Sequence, residues 1–475
     1  MSDSRTIHIS DIPALLGNWR AGSGALTVRL ARAIEDAVHR GELTENSLLP
    51  PERRLADALD LSRSTVVRTL DLLTERGIVR RVQGSGTFVA APPSKRVAAL
   101  LPPPLRAYYQ ARALAAPNFA AAVFPSAQDL PRDALAFGES DLSTIDDPAS
   151  GYAIPGLPST RRAVAEALTA LRFPTSPDSI IMTTGATQAL SIAFDLILRS
   201  DDVVVVDAPT YPTTLDMLRR HGVRIVSTRS DAGVVDTSTL ARTALRLQAK
   251  MVVVISTCNP ATGTTIPDTD RVPLVRLAEK GIVVVDDQTL ADYHRGTPAR
   301  PLAVLHDHRN IITVGSYNKV YWGGLRVGWL RCHEAMTESL TWVKAKTDFG
   351  GSVPSQVLLR KLLPHHASIT ALRRRQVRER AASVRDFLAV HLPDWTVEGA
   401  DQGPSMWIRL PLRDTADFVS YAYRRGISVG YGGMYRSDGG RSSHIRLALT
   451  SDLGLIAVGL ADLQSAWNAF GPKRR

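Results

Sequence analysis

Cysteines and long apolar runs are both scarce in this chain of 475 residues. The two cysteines, Cys258 and Cys332, are too few for a disulfide framework or a cysteine-rich metal cluster. Apolar runs such as those at 203–206, 251–255 and 282–285 are far shorter than the roughly 18 residues that a membrane-spanning helix needs. We therefore expect no metal site and no contact with a membrane.

The first twenty residues also lack a basic start followed by an apolar stretch, which is the pattern of a secretory signal. The expected location is therefore the cytoplasm. Because the chain is too long for one ordinary domain, two or three domains are expected. A hydrophobic content of 44% and a charged content of 22% are typical of a globular protein.

The net charge of +11 does not by itself identify a surface that binds nucleic acid. Residues 1–92 contain twelve arginines and eleven acidic residues, so the charge of this part is almost balanced. Much of the excess lies later, for example in the arginine-rich run 373–380. An argument for DNA binding must therefore rest on a local pattern.

The first ninety residues carry such a pattern. Apolar residues at helical spacing predict three helices, and alternating residues then predict two strands. The predicted helices are 26–40, 49–59 and 63–76, and the predicted strands are 78–82 and 87–90. Two helices, a tight turn, a third helix and a hairpin together predict a winged helix-turn-helix.

The third predicted helix directs its polar side chains outward at its start. Ser64, Thr65 and Arg68 lie off its apolar stripe. In a helix-turn-helix, this end of the third helix reaches base edges and phosphates. The glycine-rich tip of the hairpin, which ends at Gly86, allows close approach to the sugar-phosphate chain.

Residues 25–90 resemble the GntR family of bacterial repressors. The segments Leu-Pro-x-Glu-Arg-x-Leu-Ala, Ser-Arg-Ser-Thr-Val and Gly-Ser-Gly-Thr-Phe-Val occur in order and at the family's spacing. The resemblance implies a double-stranded DNA operator as partner, with contacts from Arg53, Arg63, Ser64, Thr65 and Gly86. Many members carry arginine where this chain has Val67, and Arg68 lies about 100° further around the helix. A winged helix used for protein contacts is the alternative.

Residues 91–118 mix prolines with alanine-rich stretches and show no lasting period, which is typical of a semi-rigid linker. Their length favours two bodies joined by a tether. The expected organisation is a winged helix-turn-helix domain over 1–90, a linker over 91–118 and a second domain over 119–475.

The second part of the chain alternates short apolar runs with helical segments. The predicted strands are 180–183, 203–207, 252–256 and 282–286. This alternation predicts an α/β fold in which helices cover both faces of a mostly parallel sheet. Ligands bind such sheets in the loops just beyond the carboxyl ends of the strands.

The segment 315–326 places Lys319 three residues after Ser316 and seven residues before Arg326. Lysine condenses reversibly with an aldehyde when its amine is neutral, and arginine and a hydroxyl bind a phosphate monoester. An aldehyde that bears a phosphate is pyridoxal 5′-phosphate (PLP). A surface lysine in a polar loop is the alternative for an isolated motif of this kind.

Three features upstream favour the cofactor. Residues 184–188 begin a helix, so free amides and the Thr187 hydroxyl can hold a phosphate. Tyr211 can present a flat ring. Asp286 ends a predicted strand, where a carboxylate can pair with a protonated pyridine nitrogen.

Over roughly residues 125–450, this set resembles the fold-type I, class I/II aminotransferases, whose fold adds a small C-terminal α+β subdomain. The resemblance implies that Lys319 forms the Schiff base with PLP, that Asp286 pairs with the pyridine nitrogen and that Tyr211 stacks on the ring. It further implies cofactor contacts from Ala186, Thr187, Asn259, Ser316 and Arg326.

The same resemblance assigns two residues outside the cofactor itself. Arg446 matches the arginine that binds the carboxylate of the substrate in a bidentate manner. Tyr152 matches a tyrosine that reaches the phosphate of the partner subunit's cofactor. Its use implies a head-to-tail homodimer.

Two departures from the aminotransferase pattern concern the chemistry. Asn259 lies one position early for a hydrogen bond to the 3′-oxygen of the pyridine. Gln288 stands where the family has a tyrosine two residues after the pyridine aspartate. Because that phenol tunes the Schiff base, both changes favour a sensor with altered or weak catalysis.

The order of the two parts resembles the MocR (GabR-like) regulators. The resemblance implies a PLP-dependent transcriptional regulator that senses a small amine or amino acid through exchange at Lys319. A working aminotransferase with a fused DNA-binding domain is one alternative. A sensor of PLP supply that controls vitamin B6 genes is another.

Overall fold

The computed structural model describes residues 9, 12–16, 19–20, 25–39, 42–43, 47–75, 78–82, 85–90, 118–124, 127–146, 151–229, 234–296, 300–400 and 402–471. The chain forms two compact units, Met1–Pro102 and Pro103–Arg475, which we describe separately. The linker predicted over 91–118 lies outside the described residues except for Asn118, so its limits stay a prediction.

The first unit is a winged helix-turn-helix, as predicted. Its helices are α1 (Ile12–Leu16), α2 (Leu26–His39), α3 (Glu52–Leu59) and α4 (Arg63–Glu75). Its strands are β1 (Val79–Val82) and β2 (Gly86–Val89), which pair antiparallel. A single core holds the unit together, in which Leu70 and Leu73 of α4 pack with Leu30 of α2.

The turn between α3 and α4 is closed by local hydrogen bonds. Asp60 adopts a left-handed conformation with φ of 49°, and its backbone N–H donates to the carbonyls of Ala56 and Asp57. Ser62 then accepts a hydrogen bond from the Thr65 N–H at 3.1 Å, which satisfies a free amide at the start of α4. The start of α4 is therefore fixed in direction.

A seven-stranded sheet forms the centre of the second unit. The strands, in chain order, are β4 (Ile180–Thr183), β5 (Val203–Ala208), β6 (Arg224–Arg229), β7 (Met251–Val254), β8 (Val283–Asp287), β9 (Ile311–Ser316) and β10 (Gly328–Arg331). Their order across the sheet is β4-β10-β9-β8-β7-β5-β6, and only β10 runs antiparallel to its neighbours. This confirms the predicted, mostly parallel α/β fold.

Helices cover both faces of this sheet. The helices of the second unit up to residue 391 are α5 (Arg132–Leu135), α6 (Glu139–Leu142), α7 (Pro158–Ala170), α8 (Ala186–Ile197), α9 (Pro212–Arg220), α10 (Thr237–Arg246), α11 (Val272–Glu279), α12 (Leu302–Leu305), α13 (Glu334–Asp348), α14 (Val353–Leu362) and α15 (His366–His391). None of the helices in the described ranges is long and apolar enough to cross a membrane.

Alternate residues of each buried strand belong to two different cores. In β8, Val283 and Val285 pack in the same core as Leu190 of α8, whereas Val284 packs in the core that contains Leu274 of α11. This alternation follows from the two-residue period of a strand. The same alternation determines on which face of the sheet each residue at the end of β8 lies.

A smaller sheet joins both ends of the second unit. Its order is β11 (Thr396–Glu398), β12 (Ser405–Arg409), β14 (His444–Ala448), β13 (Ser428–Tyr431) and β3 (Asn118–Phe119). Helices α16 (Ala416–Arg424) and α17 (Leu453–Phe470) pack beside it. The predicted C-terminal subdomain thus also contains a strand from the residues that directly follow the predicted linker.

The arginine-rich run 373–380 is partly buried. The guanidinium of Arg373 is almost fully buried, lies 4.1 Å from the centre of the Phe124 ring and donates to the carboxylate of Asp129 at 2.7 Å. Arg380 is buried as well and donates to the Leu449 carbonyl. Part of the positive charge that the sequence suggested at a surface therefore holds the second unit together.

Candidate functional site

The start of α4 presents the residues that were predicted to contact DNA. The side chains of Arg63, Ser64 and Arg68 are exposed, and Thr65 is half-buried because its hydroxyl lies 2.7 Å from that of Ser62. The guanidinium of Arg63 lies 3.6 Å from the carboxylate of Glu52. These exposed arginine and hydroxyl groups are the kinds that bind phosphates and base edges.

Arg53 and Gly86 differ in what the structure shows for them. The side chain of Arg53 is exposed on α3. Gly86 begins β2 with φ of 112°, and a Cβ placed there would lie 2.8 Å from Cδ1 of Leu48. Glycine at position 86 is therefore required by the fold of the hairpin itself.

In the second unit, a cavity of about 240 Å³ lies at the carboxyl ends of the sheet strands. It is lined by seven of the ten residues that the aminotransferase resemblance selected: Ala186, Thr187, Tyr211, Ser316, Lys319, Arg326 and Arg446. The other three, Tyr152, Asn259 and Asp286, are not among its lining residues.

Lys319 ends a short helical turn after β9 and lies at the wall of the cavity. Its Nζ donates to the carbonyl of Ala122 at 3.0 Å, and its own carbonyl accepts from the Tyr293 hydroxyl at 2.8 Å. Burial lowers the pKa of Lys319, and the positive charge of Arg446 lowers it further, against the opposing effects of Tyr211 and Asp287. A larger fraction of this amine is thus neutral, as nucleophilic attack on a carbonyl requires.

Other lining residues of the cavity offer donors for a phosphate. Ala186 and Thr187 form the first turn of α8, where backbone N–H groups are free to bind an anion. The hydroxyl of Ser316 and the exposed side chain of Arg326 line the same region. Arg326 has φ of 55°, so the loop that carries it is tightly bent.

Asn318, which the sequence analysis missed, connects through its side chain two of the elements that line the cavity. Its Nδ2 donates to the carbonyl of Thr184 at 3.2 Å, and its Oδ1 accepts from the N–H of Val327 at 2.9 Å. It therefore ties the start of α8 to the loop that carries Arg326. Its position between Ser316 and Lys319 in the motif was the available signal.

Asp286 does not face this cavity, so its predicted pairing with the pyridine nitrogen is not supported by the geometry. Its two carboxylate oxygens accept from the N–H of Leu302 at 2.9 Å and from Nε2 of Gln288 at 2.8 Å, on the other face of the sheet. The next residue, Asp287, lines the cavity instead. The reason is the alternation along β8.

Asp287 has the properties that Asp286 was expected to have. It is buried, and burial raises its pKa, while Thr289 and Lys319 act in the opposite direction. Its Oδ1 accepts from the N–H of Thr289 at 2.9 Å. Within the described ranges, no cation forms an ion pair with it, so a protonated pyridine nitrogen would supply the missing positive charge.

Asn259 and Tyr152 also differ from expectation. Asn259 is buried, and its amide donates to the carbonyl of Pro209 and accepts from the N–H of Ala261, so its side chain holds the surrounding loop. Tyr152 is 66% exposed, and its ring packs edge-on against Phe349, which is 61% exposed. Within one chain, neither residue reaches the cavity.

Arg446 on β14 completes the cavity from the smaller sheet. It is buried, and its Nε donates to the Pro260 carbonyl at 2.8 Å and to the Ser405 hydroxyl at 3.0 Å. Its Nη1 donates to the Ala120 carbonyl at 3.1 Å. No carboxylate among the described residues pairs with this guanidinium, which is therefore available to an anionic ligand.

Residues 118–124, which we call the cover segment, contact both Lys319 and Arg446. Three successive carbonyls accept hydrogen bonds: Ala120 from Arg446, Ala121 from the Thr450 hydroxyl, and Ala122 from Lys319. Ala122 also lines the cavity. The cover segment therefore contacts the two groups that an amino acid would engage.

The residues of this cavity fit PLP. They offer an amine with a lowered pKa, a phosphate-binding helix start with a hydroxyl and an arginine, and a buried carboxylate without a cation. Within the described part of the chain, no group of His, Cys, Asp or Glu is placed to hold a metal ion.

Comparison with known families defines the class. The model of the aminotransferase class I and II family matches residues 138–454, which is more than half of the chain, and the chain belongs to this family. Membership implies PLP as the cofactor. The model of bacterial regulatory proteins of the gntR family matches residues 26–89.

Two regulators align with most of the chain. The chain is 27% identical to the HTH-type transcriptional regulator YisV of Bacillus subtilis, over 94% of this chain and 97% of that protein. It is 25% identical to the probable rhizopine catabolism regulatory protein MocR of Rhizobium meliloti, over 83% and 84%. The chain is thus a MocR-like regulator of the GntR type with an aminotransferase-like domain.

Solved structures support the fold of the second unit. The α-aminoadipate aminotransferase LysN from Thermus thermophilus matches with a TM-score of 0.65 and 23% identity, over 74% of this chain and 91% of that chain. The aspartate aminotransferase from the same organism gives a TM-score of 0.68 and 18% identity, over 78% and 98%. At these identities, the similarity shows only that the fold is shared.

The exposed start of α4 generates a prediction about DNA. Replacing Arg63 by alanine should weaken operator binding by about 1–3 kcal/mol if the guanidinium contacts a guanine edge. Arg378→Ala is the matched control, because Arg378 is an exposed arginine of the second unit. Titration of the protein's own promoter at one salt concentration measures both. Equal affinities of the Arg63 variant and the wild type would contradict the assignment.

The two aspartates at the end of β8 generate a second prediction. Asp287→Asn should weaken PLP binding roughly 10- to 100-fold, because it removes a charged partner of the pyridine nitrogen. Asp286→Asn should leave PLP affinity unchanged, since an amide oxygen can still accept from the Leu302 N–H. Titration of each apo-protein with PLP, followed by absorbance, compares them. A loss confined to the Asp286 variant would restore the original assignment.

Proposed function

We propose that this protein is a PLP-dependent transcriptional regulator that responds to a small amine or amino acid in the cavity around Lys319. The observation that carries the proposal is the shared contact of Lys319 and Arg446 with the cover segment. An amino acid presents an amine and a carboxylate at once. Its carboxylate can therefore compete for Arg446 while its amine replaces Lys319 at the cofactor, so one binding event changes both contacts.

In this proposal, each lining residue has a defined task. Ala186, Thr187, Ser316 and Arg326 hold the phosphate of PLP. Tyr211 packs against its ring, and Asp287 takes the place at the pyridine nitrogen that was predicted for Asp286. PLP supplies an aldehyde that Lys319 binds covalently, and a ring that withdraws electrons.

Arg446 provides the selectivity for a carboxylate. Its guanidinium is buried and held in place by Pro260 and Ser405, so little ordering remains to be done when an anion binds. Carboxylate binding would draw Nη1 away from the Ala120 carbonyl. PLP itself takes Lys319 from the Ala122 carbonyl, and an amine that replaces Lys319 at the cofactor frees this donor again.

Release of the cover segment gives the ligand a differential affinity for two arrangements of the protein, which is what an effector needs in order to shift a population. The cover segment directly follows residues 91–117, through which the DNA-binding unit is joined. A change at 118–124 is thus transmitted along the chain to operator affinity.

We further propose a head-to-tail homodimer in the cytoplasm. Tyr152 and Phe349 form an exposed aromatic pair outside the cavity of their own chain. Exposed aromatic residues of this kind are enriched in interfaces. In the dimer, Tyr152 would serve the phosphate end of the partner's cavity.

Aminotransferase activity is the second candidate, and the retention of Lys319 beside a carboxylate-binding arginine favours it. One relative, the 2-aminoadipate transaminase of Thermus thermophilus, is 26% identical over 61% of this chain and 75% of that protein. Steady-state turnover of amino acids with a keto-acid acceptor tests this candidate directly. Sensing of PLP supply is distinguished by comparing the operator affinity of apo-protein and PLP-loaded protein without any amine.

The first prediction from this proposal concerns the cofactor. The protein loaded with PLP should be yellow, and reduction with borohydride should attach a pyridoxyl group to Lys319. Lys319→Ala should bind PLP without covalent attachment, because the amine is missing. Mass spectrometry of the reduced proteins measures this. A pyridoxyl group covalently attached in the cavity of the reduced Lys319→Ala variant would refute the assignment.

The second prediction concerns the response. An allosteric coupling of about 1–3 kcal/mol would change operator affinity roughly 5- to 150-fold when the effector binds. Arg446→Gln should keep PLP absorbance and basal operator binding but lose this change. Arg409→Gln, at an exposed position on the neighbouring strand, is the matched control. Operator titration with and without the amino acid compares the proteins, and a full response by the Arg446 variant would exclude carboxylate capture as the trigger.

A further inference from the structure

A second cavity, of about 90 Å³, lies on the other face of the sheet from the Lys319 cavity. The two cavities share Ser316 as a lining residue. The walls of the second cavity are largely apolar and aromatic, with contributions from Leu168, Leu171, Phe173, Tyr317 and Trp329. A volume of this size holds roughly six to nine non-hydrogen atoms, if each occupies about as much of it as one water.

One wall is formed by a buried amide whose hydrogen bonding is incomplete. Nε2 of Gln288 donates to the Ser256 hydroxyl at 2.6 Å and to the Asp286 carboxylate at 2.8 Å. Because a carboxylate only accepts, the amide nitrogen must face Asp286. Oε1 of Gln288 is left without a partner in the structure although the side chain is 95% buried. Unpaired buried acceptors are rare in native proteins.

Among the charged residues of the second cavity, Arg374 stands apart from the pair formed by His366 and Asp292. His366 lies 3.1 Å from the Asp292 carboxylate; burial opposes its protonation, but Asp292 raises the pKa of His366 overall. Arg374 donates from Nε to the Asp292 carbonyl, and no carboxylate among the described residues forms an ion pair with its guanidinium.

We propose that this second cavity binds a small monocarboxylate with an aromatic or branched aliphatic body. The carboxylate would pair with Arg374, and the body would pack between Trp329, Phe173 and Leu171. Arginine is well suited to a carboxylate in a partly buried position, and an apolar wall with one cation favours an organic anion over an inorganic one.

The second cavity is placed to influence the first. Gln288 directly follows Asp287, and Ser316 separates the two cavities. A ligand that engages Gln288 would alter the hydrogen bonds of Asp286, one residue from the carboxylate assigned to the cofactor. The binding site itself does not depend on the proposed function, because neither DNA nor an amine takes part in it.

Calorimetric titration of the full-length, PLP-loaded protein with benzoate tests the proposal. Benzoate has nine non-hydrogen atoms by its formula, about the capacity of the cavity. One saturable site per chain is expected, and the uncharged analogue benzamide should bind at least about tenfold more weakly. Failure of benzoate to saturate a site below about 10 mM would overturn the proposal.

Variants locate the site. Arg374→Gln should weaken benzoate binding at least about tenfold, whereas Arg378→Gln, one turn further along α15 and exposed, should not. Leu171→Trp should abolish binding by filling the cavity, and the partial exposure of Leu171 lets the larger ring be accommodated without unfolding the protein. Arg446→Gln tests which of the two cavities benzoate occupies. If it weakens benzoate binding as much as Arg374→Gln does, benzoate occupies the Lys319 cavity and the proposal is wrong.

Discussion

The two-residue period of strand β8 is the constraint on which both cavities depend. Neighbouring strands fix β8 on both sides, so its residues cannot rotate about the strand axis. Val285 and Asp287 must share one face, and Asp286 must share the other with Val284. A slip by one residue would exchange the carboxylate that meets the cofactor cavity for the one that holds helix α12. Core packing thus determines the electrostatics of the site.

The cover segment links the site to the rest of the chain through another constraint. Strand β3 adds to the edge of the smaller sheet by pairing with β13, so the backbone at 118–119, directly before these carbonyls, is fixed on one side. On its other side, Lys319 and Arg446 donate to its carbonyls. Buried carbonyls need donors, so ligand binding cannot remove these hydrogen bonds without a cost to the cover segment. In the proposed function, that cost is what couples the ligand to the cover segment.

Much of the fold was accessible from the sequence because local patterns and global fold agree. Helix α4 was predicted at 63–76 and occupies Arg63–Glu75, since its apolar stripe and its Ser62 cap act together. The short parallel strands were equally clear from their β-branched runs. The contribution of β3 to the smaller sheet was missed, because a strand of two residues has no period to detect.

The site could be predicted less completely, since identity and spacing do not report the face of a strand. The alternation Val283-Val284-Val285 carries no polarity signal, and two adjacent aspartates look equivalent in a motif. Once Asp287 is taken as the cofactor's carboxylate, the position two residues later is Thr289, which is also a lining residue of the cavity. Gln288 then no longer occupies the position of the family's tyrosine.

Gln288 belongs instead to the opposite face, where it bonds to Asp286 and borders the second cavity. This changes the argument for weak catalysis. A hydroxyl at 289 can donate a hydrogen bond near the cofactor, but its proton is far less acidic than that of a phenol, whose pKa is about 10. Thr289 can therefore support Asp287 without tuning proton transfer as a tyrosine would. This chemistry favours binding and response over rapid turnover, in agreement with a regulator that retains the lysine of an enzyme.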